Sequence, residues 1–259
     1  MADSNEEVGE EKVFFTVGGL PIEERVVRWL MYFAFVLVIL RITGLVIKLF
    51  YPMISPPFMH RFAKKYNRQM GHVKALLFSD LAQIKAKNGG KLTILEIGAG
   101  SGANFEFYPK GTKVIAIDPN KNYQSYLESN VKNSQAKLEA FIVGRGENLC
   151  DVNDNCVPVV VSTLVMCVAN DPEAYVREIK RVLKPGGKFY YMEHVSASKN
   201  SWTHLLQRLM NPFCSFLSGE KCVLTRKTWQ YIDEAGFSRL EYSRFSAPLS
   251  RHSQCRNHT

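Results

Sequence analysis

The stretch Lys91-Leu92-Thr93-Ile94-Leu95-Glu96-Ile97-Gly98-Ala99-Gly100-Ser101-Gly102 decides how the chain is read. Leu92, Thr93, Ile94, Leu95 and Ile97 make a short, β-rich apolar run that predicts a strand buried on both faces. Glycines at 98, 100 and 102 follow at once. Without Cβ atoms they permit a tight turn and let a ligand come close to the backbone. Sixteen residues beyond Gly102, the apolar run Val114-Ile115-Ala116-Ile117 ends in Asp118. An acid at the tip of the second strand of an α/β sheet is placed to accept hydrogen bonds from a ribose. Loop and acid together outline a nucleoside-binding site.

Two cofactor types fit that outline. Gly98-x-Gly100-x-x-Ala103 loosely satisfies a dinucleotide fingerprint, a pattern of low specificity by itself. Pro109 and Gly111, however, stop any helix after the glycines within about two turns. Glu96 stands two residues before the first glycine, a placement that resembles motif I of class I S-adenosylmethionine-dependent methyltransferases. In those proteins the acid organises the glycine loop near the methionine moiety, and the acid of the second strand holds the ribose hydroxyls.

The 259 residues suit one α/β domain with appendages, and an apolar content of 46% is ample for one core. The formal charge of +9 is unevenly spread. Residues 1–28 hold seven acids and three bases, leaving a strongly basic remainder. A basic body suits nucleic acid or an anionic membrane surface. The six cysteines, at 150, 156, 167, 214, 222 and 255, show no C-x-x-C pair and no metal-ligand spacing. They read as reduced thiols of a cytosol-facing domain.

Residues 1–28 read as an acidic, flexible N-terminus. Trp29–Phe50 is the most hydrophobic segment, and its first twelve residues, Trp29 to Leu40, carry no charge. At ~1.5 Å per residue its 22 residues reach about 33 Å, close to a bilayer core. It reads as a membrane anchor helix, with Arg41 and Lys48 on one face able to snorkel. Arg61, Lys64, Lys65 and Arg68 lie downstream, against Arg25 and Arg28 upstream, which puts the following domain on the cytosolic side.

The domain from 58 to 250 has the alternation of an α/β sheet protein. Phe58 to Lys87 reads as one or two amphipathic helices. Helices are expected at Tyr123–Val131 and from Asp171-Pro172-Glu173, an acid N-cap followed by proline at the first helical position. Strands are expected at Ala140–Val143, Val157–Val168 and Lys188–Val195. Trp202 to Leu217 is apolar and aromatic, broken by Pro212, and suits a lid. Thr225–Ala235 is expected as the last helix, capped by Thr225 and closed by Gly236, and Leu240–Phe245 as a sixth strand.

These residues make the chain resemble the membrane-associated methyltransferase-like thiol S-methyltransferases, within the class I S-adenosylmethionine-dependent methyltransferases. The carriers include Gly98-Ala99-Gly100-Ser101-Gly102-Ala103-Asn104-Phe105, Ile117-Asp118-Pro119-Asn120, Gly146-Glu147-Asn148, Met192-Glu193-His194-Val195 and Ala247-Pro248-Leu249-Ser250. The resemblance implies a doubly wound, mostly parallel, Rossmann-like sheet of order 3-2-1-4-5-7-6, behind an N-terminal hydrophobic anchor helix. It implies S-adenosyl-L-methionine as cofactor, held by Glu96, Gly98, Gly100, Gly102 and Asp118, with Glu147 on the adenine. It implies a small-molecule thiol as acceptor and a place on endoplasmic reticulum membrane or lipid droplets. His194 is the candidate for polarising the acceptor. No metal, no nucleic acid and no obligate protein partner are expected. A lipid or quinone methyltransferase and a non-catalytic scaffold on the same fold are the alternatives. The tail 251–259 is polar and lacks the alternation of a buried strand, so the final sheet strand is expected to be missing.

Overall fold

A computed structural model of the chain describes residues 13–17, 20–218, 221–243 and 245. It divides into two units, residues 1–51 and 52–259. In the first unit, strands β1 (Val13–Val17) and β2 (Leu20–Glu23) pair antiparallel. The flexible terminus expected there from composition thus contains a hairpin. The sequence signal was present: two apolar runs separated by a Gly-Gly pair have the pattern of a hairpin.

Helix α1 runs without interruption from Glu24 to Leu77. Its N-terminal portion is long and apolar enough to cross a membrane, with a mean hydropathy of 2.4 over an 18-residue window whose residues are unburied. The anchor and the first amphipathic helix expected separately are one element, although Pro52, Pro56 and Pro57 lie inside it. Interior prolines delete helical hydrogen bonds. Pro56 has no N–H for the carbonyl of Pro52, and the side-chain amides of Asn120 and Asn122 donate to that oxygen instead, both at 3.0 Å. The orphaned acceptor is satisfied, and the second-unit part of α1 is tied to the loop that follows Asp118.

After α2 (Leu81–Lys87) come β3 (Thr93–Ile97), β4 (Lys113–Asp118), α3 (Gln124–Val131) and β5 (Lys137–Val143). Then follow β6 (Val157–Thr163), α4 (Pro172–Val182), β7 (Leu183–Met192), α5 (Trp202–Ser218) and α6 (Thr228–Glu234). The main sheet has the order β5-β4-β3-β6-β7, and all of its neighbouring pairs are parallel. This is the expected doubly wound α/β class.

Apolar side chains fill both faces of the sheet, as the unbroken apolar runs require. Leu95, Ile97, Ile117 and Val160 pack with Tyr175, Val176 and Ile179 of α4. Ile94, Val114, Val159 and Val161 pack with Phe78, Leu81, Phe105 and Leu127 on the other face. Each such side chain, fully buried, contributes about 1.5–3 kcal/mol before entropy is counted. Alternation places Glu96 on the second face, with Ile94, where nothing in the strand itself satisfies a carboxylate.

Helix α4 starts as expected: Asp171 Oδ1 accepts from the backbone N–H of Ala174 at 2.9 Å, and Pro172 holds the first helical position. Three other expectations are corrected. Thr225 is not an N-cap, because α6 begins only at Thr228. The Arg226 guanidinium donates to the carbonyls of Met166 (2.7 Å) and Ala169 (2.6 Å), which pins residues 223–226 in a turn against the end of the sheet. Pro212 does not break the apolar segment, which is one helix, α5. Side chains on both sides of the proline hold it: Gln207 donates to the Val195 carbonyl at 2.8 Å and Asn211 accepts from the Leu224 N–H at 2.9 Å before it, and Ser215 Oγ accepts from the Cys222 N–H at 2.9 Å after it. Finally, residues 240–243 form no strand. They find no ladder partner among the described residues, and Leu240 and Tyr242 stay exposed. The polar tail, 251–259, lies outside the described residues.

Candidate active site

The glycine loop leaves the carboxyl end of β3 and is fastened to β4. The N–H groups of Gly98 and Ala99 both donate to the Ile117 carbonyl, at 2.8 and 3.1 Å. Gly98, Gly100 and Gly102 all have positive φ, at 67°, 51° and 77°. A Cβ at Gly98 would lie 2.3 Å from Val165 Cγ2, whereas one at Gly100 would meet nothing within 4 Å. The first glycine is therefore demanded by packing inside the protein. The second is demanded by its left-handed backbone and borders open space, as a ligand cradle should.

Asp118 closes the loop. Its Oδ2 accepts from the Gly100 N–H and its Oδ1 from the Asn120 N–H, both at 2.9 Å, and the residue is buried. The acid at the tip of β4 thus meets the middle glycine of the loop. A short 3-10 turn, Phe105–Phe107, follows the glycines in place of a long helix.

Glu96 is 2% exposed. Its Oε1 accepts from Asn104 Nδ2 at 2.8 Å and its Oε2 from the Tyr108 hydroxyl at 2.9 Å. Burial pushes its pKa up to about 7, against the pull of those two donors and the Lys74 charge. Lys74 of α1 is itself buried, and burial lowers its pKa to about 8 despite the attraction of Glu96 and Glu106. The Lys74 ammonium donates to Asn67 Oδ1 at 2.7 Å. A cavity of about 160 Å³ separates this segment of α1 from the carboxyl ends of β3 and β6. Tyr66, Lys74, Glu96, Gly98, Asn104 and Thr163 are among its walls.

The other two expected residues lie elsewhere. Glu147 joins two loops: its Oε1 accepts from the Asn170 N–H at 2.7 Å, and its Oε2 lies 3.5 Å from Arg145 Nε. His194 is not among the cavity's walls. More than a third of its surface is exposed, while packing on the remainder lowers its pKa. Its neighbour Glu193, pushed up to about 7 by burial, accepts from the N–H groups of Val165 and Met166, both at 2.9 Å. Sequence reading missed Lys74, Asn104, Tyr108 and Glu193. The signal for Lys74 was its position, four residues after Met70 and four before Phe78, on the apolar stripe of its helix.

Residues 95–191 match the methyltransferase domain family. The chain is 44% identical over 196 residues to the human thiol S-methyltransferase TMT1A, covering 75% of this chain and 80% of that protein. It is 39% identical over 197 residues to human thiol S-methyltransferase TMT1B, covering 75% and 79%. Rat thiol S-methyltransferase TMT1B is 40% identical over 187 residues, covering 72% and 76%.

A parallel α/β sheet with this glycine loop and strand-tip acid, matched by the methyltransferase domain family over residues 95–191, is that of a class I S-adenosylmethionine-dependent methyltransferase. Within that class, the chain belongs to the thiol S-methyltransferase family.

The residues present fit the cofactor. Gly100 leaves open space over the loop, Asp118 is fixed at its edge, and Asn104 Oδ1, in the cavity wall, is a buried acceptor without a partner among the described residues.

Proposed function

We propose that the protein methylates small alkyl thiols at a membrane surface. The observation that carries this reading is the 44% identity to human thiol S-methyltransferase TMT1A across 80% of that protein, joined to a glycine loop whose middle N–H is held by Asp118. S-adenosylmethionine, when bound, supplies an electrophilic methyl group on a sulfonium. Glu96, Gly98, Gly100, Gly102 and Asp118 cradle it, Asp118 taking the ribose hydroxyls. Glu147 sets the loop at the adenine end through its bond to Asn170.

Residues of α1 and the ends of β3 and β6 line the cavity that would receive the reacting end, where positioning favours in-line displacement. Free thiols have pKa values near ~8.5, so removing the proton raises the reactive thiolate fraction. His194 is proposed for that task; it lies just past the end of β7, outside the wall of the cavity, and burial lowers its pKa. His194→Gln is expected to lower turnover about 10-fold or more, with unchanged affinity for S-adenosylmethionine. Unchanged turnover would remove the residue from the reaction.

A panel of alkyl thiols, phenols and quinones, assayed for methyl transfer with one enzyme preparation, tests the acceptor. Methylated thiol is the expected product. Exclusive methylation of a quinone or phenol would overturn the thiol reading in favour of a lipid or quinone enzyme.

Residues 29–50 are proposed as the membrane anchor of a catalytic domain, 58–250, that faces the cytosol on endoplasmic reticulum or lipid droplets. Supporting this are the unburied apolar window of α1 and the basic residues that follow it. Removing residues 1–50 is expected to move the protein from the membrane pellet to the supernatant while the cofactor still binds. A truncated protein that sediments with microsomes in high salt would place the anchor elsewhere. The exposed apolar stripe Trp202, Leu206, Leu209, Phe213 and Phe216 of α5 is the next segment to test.

A further inference from the structure

Two groups in the wall of the cavity are left under-used by the fold. Lys74 is 3% exposed and makes one hydrogen bond, to Asn67 Oδ1 at 2.7 Å. Its ammonium lies 5.8 Å from the ring centroids of both Tyr66 and Phe107. An ammonium has three donors, so two of them have no acceptor among the described residues. Burying such a charge with one hydrogen bond is costly.

Asn104 presents the opposite deficit. Its Nδ2 donates to Glu96 Oε1 at 2.8 Å and to Thr163 Oγ1 at 2.9 Å, while its Oδ1 is buried with no partner among the described residues. The amide cannot be turned over to relieve this, because Oδ1 would then face the Glu96 carboxylate. An unsatisfied buried acceptor is costly in the same way as an unsatisfied donor.

One ligand chemistry answers both deficits. An α-amino acid end carries an anionic acceptor and a cationic donor on the same carbon. A lone anion would satisfy Lys74, yet it would leave Asn104 Oδ1 orphaned and add negative charge beside Glu96 and Glu106, whose fields already act on Lys74. A lone cation would leave Lys74 unanswered. The zwitterion completes the set with a charged partner for each group and adds no net charge.

We propose that Lys74 and Asn104 form a clamp for the zwitterionic methionyl end of the cofactor. Lys74 Nζ donates to the α-carboxylate, and Asn104 Oδ1 accepts from the α-ammonium. Gly98, Ala99 and Ser101 border the same cavity, which puts the clamp next to the loop that receives the rest of the molecule. The inference rests on the S-adenosylmethionine reading of that loop. It assigns to α1 a binding role beyond covering the site.

Calorimetric titration of the full chain in detergent tests it with three ligands. These are S-adenosylmethionine, its decarboxylated form, which lacks only the carboxylate, and 5′-methylthioadenosine, which lacks the amino acid end altogether. The unmodified protein is expected to bind the decarboxylated form roughly 10- to 100-fold more weakly than S-adenosylmethionine, the worth of a charge-assisted hydrogen bond. Lys74→Met should weaken S-adenosylmethionine to about that level and leave 5′-methylthioadenosine unchanged. Equal affinity of the unmodified protein for the first two ligands overturns the clamp, and needs no variant to show it. An equal loss for both of those ligands in Lys74→Met, with 5′-methylthioadenosine still bound, also overturns it. Failure of the unmodified protein to bind 5′-methylthioadenosine would instead fault the nucleoside reading beneath the proposal, and the clamp would fall with it.

Discussion

Asp118→Ala is expected to weaken binding of S-adenosylmethionine by about 100-fold or more. The carboxylate is 6% exposed and serves two partners at once, the N–H groups of Gly100 and Asn120. As the proposed ribose acceptor it would add charge-assisted hydrogen bonds worth ~1.5–3 kcal/mol each. Alanine removes all of these together. It also frees the middle of the glycine loop and the loop whose Asn120 side chain donates to the Pro52 carbonyl of α1. A binding titration gives the answer, and unchanged affinity would sink the assignment of the site.

The second large effect separates two glycines that look alike in the sequence. Gly98→Val is expected to damage both the fold and cofactor binding. Its Cβ would lie 2.3 Å from Val165 Cγ2, in a backbone conformation at φ 67° that side chains disfavour. Left-handed strain and overpacking together cost roughly 2–5 kcal/mol. That is a large part of the ~5–15 kcal/mol that holds a typical domain. Gly100→Val meets no neighbour within 4 Å and carries only the backbone strain of φ 51°. It should remain folded, with a small drop in melting temperature, yet lose cofactor because the side chain fills the space over the loop. Thermal melts with and without S-adenosylmethionine distinguish the pair. Equal melting temperatures for the two variants would contradict the packing argument, and cofactor-dependent stabilisation of Gly100→Val would contradict the cradle.

What could be read from the sequence was local. The β3 run, the three glycines, Asp118 and the Asp171-Pro172 helix start each depend on residues a few positions apart, and each took its expected form. What could not be read depended on residues far apart in the chain. The anchor helix and the helix from Phe58 were expected as separate elements, but they are one helix, in which Asn120 and Asn122 donate to the Pro52 carbonyl that Pro56 leaves free. Thr225 had the chemistry of a cap, but Arg226 is held by the carbonyls of Met166 and Ala169. Leu240–Phe245 had strand composition, but composition cannot supply a pairing partner.

The site follows the same division. Glu96 was legible from its place before the first glycine. Its partners were not, since Asn104 and Tyr108 reach it only because the 3-10 turn folds back over the end of β3. Lys74 is more remote still, brought to the cavity by a helix that precedes the sheet. Glu147, read from its loop position alone, is engaged with Asn170 and Arg145.

The most direct test of thiol methylation is isotopic. The full chain, given S-adenosylmethionine with a trideuterated methyl group and a small alkyl thiol, is analysed by mass spectrometry. The account predicts a methyl thioether carrying all three deuterons, formed in equal amount with S-adenosylhomocysteine and absent without enzyme. S-adenosylhomocysteine without labelled thioether, or no turnover of any thiol by a protein that binds the cofactor, would contradict it.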